Sequence, residues 1–139
     1  MSSVRGLYTP EILATAMDLT TYPWNETFIL KGRARSRSCG SAIEIGIEID
    51  HQGRVSAIGL RPHACAVGQA AASIFAKNVV GLDCNDLRRV RQALALWLAG
   101  EGDKPAWPEI DLLDPARAYP ARHGAILLAW DAALDAMDK

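Results

Sequence analysis

The sequence carries almost no net charge. Fifteen basic residues stand against sixteen acidic ones, a formal charge of -1, so no whole-molecule field draws the chain to DNA, RNA or an anionic membrane. It also lacks an apolar run of about 18 residues and a basic-plus-apolar leader; neither membrane spanning nor export is supported, and the cytoplasm is the expected compartment. Cysteine is scarce and odd in number: Cys39, Cys65 and Cys84 fit no disulfide framework, and free thiols or ligands suit a reducing compartment better. No glycine-rich phosphate loop, no His-Glu-x-x-His and no Ser-His-Asp arrangement can be argued from spacing. Internal repeats and low-complexity tracts are missing as well.

What is present is ordinary globular composition, half hydrophobic and 22% charged over 139 residues. A chain of this size buries about two-thirds of its unfolded surface, so residues 1–139 are expected to form one domain, folded throughout.

Local patterns give the order of elements. From Tyr8 to Thr20, apolar residues at Ile12, Leu13, Ala16 and Met17 fall at helical spacing, with Thr9 as N-cap and Pro10 at the first helical position. In "TFILKGRARSRS" (27–38), Arg33, Arg35 and Arg37 alternate with small residues, which puts the three arginines on one strand face. Ile43, Ile45, Ile47 and Ile49 alternate with Glu44, Gly46, Glu48 and Asp50, the pattern of a half-buried antiparallel strand. "DHQG" (50–53) turns the chain into a partner strand over 54–62. Helices are expected over 66–78, over 85–99 behind an Asp83 cap, and over 121–137, while the proline-rich stretch 100–120 is expected to wrap the surface. A run of strands followed by a run of helices is an α+β pattern: a small three-stranded antiparallel sheet with helices packed on one face.

The hairpin brings two thiols toward each other. If residues 50 and 53 close it, Cys39 falls opposite roughly residue 64, so Cys39 and Cys65 are expected at the same end of the sheet. Cys65 immediately precedes a predicted helix, where free backbone N–H groups face outward, a position that suits a nucleophile or a ligand. Set against this, cysteines are among the most buried residue types and often simply pack.

These segments, taken in order, resemble a known family. "LYTPEIL", "SCGSAIEIGIEID", "HACAVGQAAASI" and the residues from Tyr119 to Leu134 are similar to successive parts of the U-type iron-sulfur cluster assembly scaffolds (NifU N-terminal, IscU and SufU). The long connection before Tyr119 is more like the SufU branch. The resemblance implies a SufE/NifU-like fold and a site of three cysteines and one aspartate that holds zinc or a nascent cluster and receives sulfur from a cysteine desulfurase or another iron-sulfur assembly protein. Position by position, the first two cysteines match Cys39 and Cys65, whereas Ser41 stands where the aspartate is implied and Ala125 where the third cysteine is implied. Gly124 occupies the place of the histidine that some members carry. With two of four ligands replaced, a tetrahedral site is open at two corners. Imidazole from His63 or His123 is one repair; another is a homodimer in which each chain gives Cys39 and Cys65.

Two classes of function follow. The first is a scaffold-like sulfur, iron or metal carrier that turns over no substrate and is not an enzyme; the second is an interaction or regulatory module that keeps the fold without binding metal. Nucleic acid is not an expected partner. The arginine stretch has no interleaved aromatic platform and reads as a solvated edge strand blunted by charge.

Overall fold

The computed structural model describes residues 8–37 and 40–138. Helix α1 (Pro10–Met17) starts where its cap places it: Thr9 is extended, its hydroxyl oxygen accepts from the Ile12 N–H at 3.1 Å, and Pro10 fills the first turn, where no N–H is needed. It buries Ile12, Thr15 and Ala16, then tightens into a 3-10 turn over Asp18–Thr21.

Strands β1 (Leu30–Arg35), β2 (Ala42–Ile49) and β3 (Val55–His63) form one antiparallel sheet in that order. Ile43, Ile45 and Ile47 are buried, as the alternation predicts, but Ile49 is exposed. The register explains both facts. The hairpin closes between Asp50 and Arg54, whose carbonyl accepts from the Asp50 N–H at 2.8 Å, and a bulge follows at Glu48/Ile49. Ala42 therefore stands opposite His63, two residues beyond the partner that the turn alone predicts. An even slip keeps each side chain upstream of the bulge on its predicted face. Each outer strand also donates sideways: Arg33 N–H to Asp135 Oδ2 at 3.0 Å and Leu60 N–H to the Tyr22 carbonyl at 2.9 Å.

Three helices follow, α2 (Ala66–Asn78), α3 (Cys84–Leu98) and α4 (His123–Met137). A capping box starts α3: Asp83 accepts from the Asp86 N–H and Asp86 returns the contact to the Asp83 N–H, at 2.9 and 3.0 Å. Helix α4 lies across β1 and β2, and Gly32 lets it approach; a Cβ there would collide with the Ala132 carbonyl and the Ala136 amide. On the opposite face of the sheet, the Phe28 ring covers Gly46 and Gly59.

The connection before α4 corrects the expectation of a surface wrap. Residues Ile110–Ala118 form a 3-10 helix, and Trp107, Ile110, Leu113 and Ala116 are buried. Their spacing of three is the period of that helix, in which side chains eclipse along one line. Prolines stop an α-helix here without making the segment polar. Trp107 Nε1 donates to the Ile74 carbonyl at 2.9 Å, its ring stacks on Phe75 at 5.9 Å, and Trp130 meets the two edge-on at 5.3 and 5.2 Å. Among the described residues no helix is long and apolar enough to cross a membrane.

Candidate functional site

Three chain segments converge at the end of the sheet where β2 begins and β3 ends. The first is the β1–β2 loop, closed by Ser36 N–H donating to the Ser41 carbonyl at 2.7 Å and Gly40 N–H to the Ser36 carbonyl at 3.0 Å, with Gly40 at φ 70°. That left-handed conformation suits glycine. The second is the β3–α2 junction, where Cys65 is the extended N-cap of α2 and half-buried. Gln69 holds this turn, its Nε2 donating to the Ala64 carbonyl at 2.8 Å. The third is the start of α4.

Small residues let these segments touch. A Cβ on Gly68 would lie 3.0 Å from the Ala64 Cβ and 3.4 Å from the Ala125 Cβ, so the position of the absent third cysteine packs one helical turn from Cys65. A Cβ on Gly124 would lie 2.7 Å from Ser36 Oγ, so the place of the family's histidine is taken by a buried serine from the opposite loop. Ser41 and Ala125 are themselves buried. The segments around the place the resemblance implies are thus brought together, with Ser41 and Ala125 where the aspartate and the third cysteine are implied.

The remaining candidates divide. Cys39 lies outside the described residues, so its expected meeting with Cys65 is traced only through its neighbours Gly40 and Ser41. His63 ends β3 and is exposed. His123 has Nε2 at 3.2 Å from both the Ala116 and Arg117 carbonyls, which accept only if the proton sits on that nitrogen. Cys84 opens α3 beside the far end of β3, where Val55 N–H donates to the Leu82 carbonyl at 2.8 Å. At strand rise, that is about 25 Å from His63. Among the described residues, no three His, Cys, Asp or Glu side chains come together to hold a metal, and an alanine methyl and a buried serine do not fit the four-ligand group.

Beside the corner, the outer face of the sheet is a charge lattice. Arg61 pairs with Glu44 at 2.9 Å, reaches Glu26 at 3.6 Å and stacks over Trp24 at 4.2 Å, while Lys31 meets Glu26 at 3.3 Å. The Arg61 hydrogen bond holds the Glu44 carboxyl below its ordinary range, and the Trp24 indole followed by Lys31 does the same for Glu26. Ser36 is read from the sequence only as a small residue alternating with the strand arginines, and the three-residue spacing before α4 is not read at all. The spacing was readable; the closeness of Ser36 to Gly124 depends on two segments far apart in sequence.

Comparison with known proteins agrees with this fold. No family model matches the chain. The iron-sulfur cluster assembly scaffold protein IscU of Thermotoga maritima is 24% identical over 103 residues, covering 73% of this chain and 72% of that protein. A nitrogen-fixing NifU-like protein (N-terminal) from Brucella abortus superposes with a TM-score of 0.85 at 29% identity, covering 99% of this chain and 96% of that one. The SUF-system scaffold FiSufU from Fervidobacterium islandicum AW-1, described as putative, gives 0.82 at 18% identity, covering 94% and 96%. The fold is therefore shared with these proteins over nearly the whole chain.

Proposed function

We propose that this chain, which is similar in sequence and in fold to the U-type iron-sulfur scaffolds, is a sulfur or iron carrier that works through Cys39 and Cys65 and does not close a four-ligand site by itself. The observation that carries this reading is the half-buried Cys65 at the α2 N-cap, set in a corner where β1–β2, β3–α2 and α4 meet. A thiol in that place can accept sulfane sulfur from a cysteine desulfurase persulfide: its thiolate attacks the outer sulfur, a new S–S bond forms, and the donor cysteine leaves as thiolate. The protein holds cargo and turns nothing over. A nascent cluster or a zinc ion, as cargo, needs ligands beyond Cys39 and Cys65, and a second chain contributing its own pair is the arrangement that supplies thiolates. The cytoplasm is the compartment in which such thiols stay reduced.

A second reading, an interaction module that keeps the fold without metal, is favoured by one observation: Ser36 fills the space beside Gly124, and Ala125 is buried against Gly68. Elemental analysis of anaerobically purified protein, alongside persulfide trapping after incubation with a cysteine desulfurase and cysteine, separates the two. The carrier reading expects sulfane sulfur on Cys65 or Cys39, or zinc or iron near one per chain or per two chains, lost in Cys39→Ser or Cys65→Ser. Protein free of metal and of persulfide, unchanged by either substitution, overturns the carrier reading and favours the module.

A further inference from the structure

We propose that the cleft beside the corner, on the outer face of the sheet, is a docking site for an acidic segment of a partner protein, extended and carrying carboxylates at alternate positions. A concavity of about 610 Å³ is lined there by Arg33, Arg35, Ala42, Glu44 and His63, a size in the range of ligand-binding clefts.

Charge accounting singles out two residues. Lys31 and Arg61 each have carboxylate partners on this face, in Glu26 and Glu44. Arg33 and Arg35 are exposed, and among the described residues neither guanidinium forms an ion pair. The main-chain N–H of Arg33 is bonded to Asp135, which fixes the strand beneath. Across β2, Glu44 stands opposite Arg33 but is held by Arg61. Two guanidinium groups without an ion-pair partner among the described residues therefore flank a cleft whose lining carboxylate, Glu44, feels the charge of Arg33 but is hydrogen-bonded to Arg61.

Spacing specifies the occupant. Residues two apart on one strand lie about 6.6 Å from each other on the same face, and so do alternate side chains of an extended peptide. Glutamate or aspartate at alternate positions meets both arginines, each as a charge-assisted and geometrically forked contact. A nucleic acid backbone is a poorer match: strong phosphate binding needs a long basic track, and here Glu26, Glu44 and Glu48 interrupt the face while Trp24 is already covered by Arg61. Ala42 adjoins Ser41, and His63 lies just before Cys65, so an occupant of this cleft sits next to the thiol corner. The inference adds a partner surface to the carrier reading, but peptide binding does not depend on the thiols, and the Cys65→Ser protein separates failure of one from failure of the other.

The probe is a fluorescent peptide with glutamate at alternate positions, titrated by anisotropy at low and moderate salt. Binding that weakens with salt, falls roughly tenfold in the Arg33→Ala/Arg35→Ala double variant, persists in Cys65→Ser and is unchanged in an Arg88→Ala/Arg89→Ala control on α3 supports the proposal. Three results overturn it: no binding by folded wild-type protein, equal binding by the Arg33→Ala/Arg35→Ala variant, or equal binding of a peptide of the same charge with its glutamates consecutive. A single-stranded oligonucleotide that binds more tightly than the peptide, through the same two arginines, also overturns it and reassigns the cleft. Circular dichroism of the double variant keeps a folding defect from counting as support.

Discussion

Helix α4 passes through two regions built on opposite principles. Its middle contributes Trp130 to a cluster with Phe75 and Trp107, where large rings fill space. Its start contributes Gly124 and Ala125 to a corner where Ser36, Gly68 and Ser41 are small and segments meet through short side chains. The aromatic region holds the helix in place by buried area. The corner depends on close approach, and there a single added carbon decides whether the loops still fit.

The sharpest way to break the contrast is at the aromatic end. Trp130→Ala removes a fully buried ring and is expected to cost about 3–5 kcal/mol, read by urea denaturation; a loss below about 1 kcal/mol would mean that the cluster is not where the stability resides. At the corner, Gly124→Ala sets two effects against each other. Helix propensity favours alanine by up to about 1 kcal/mol, whereas the new methyl meets Ser36 Oγ at 2.7 Å, and overpacking costs about 1–3 kcal/mol. The net expectation is a loss of about 1 kcal/mol that shrinks to near zero in a Ser36→Ala background. A double-mutant cycle with no coupling between the two sites removes Ser36 from the corner.

The smallest effect lies away from both regions, at the start of α3, and serves as a baseline. The Asp83 N–H, followed by Arg89, keeps the Asp86 carboxyl below its ordinary range. A depressed carboxylate contributes stability that is complete above the ordinary aspartate value, near 4, and is lost as pH falls through the lowered one. Amide exchange at Asp83 should therefore accelerate on acidification below about pH 4, beyond the change in intrinsic exchange, and Asp86→Asn should flatten that dependence. An unchanged profile in Asp86→Asn would show that the box closes without its charge.

Much of this molecule was legible from local pattern. The Thr9 and Asp83 caps, the isoleucine alternation and the position of Cys65 just before α2 all follow from short-range preferences that tertiary structure had no reason to override. The bulge was not legible, because an extra residue in a ladder depends on how the hairpin closes and not on the alternation that precedes it. Trp107 was missed because proline and aspartate read as breakers, when the relevant signal was apolar spacing of three. The corner is expected from a resemblance alone, and the approach of Ser36 to Gly124 is a contact between segments that no local rule connects.

The sideways bonds of the sheet have one more consequence. Arg33 gives its outward N–H to Asp135, and Leu60 gives its own to Tyr22, so each border strand is stoppered at one rung by a group from the same chain. Neither border offers an uninterrupted template for an incoming strand. Pairing of two copies by joining their sheets edge to edge is thereby discouraged at those rungs.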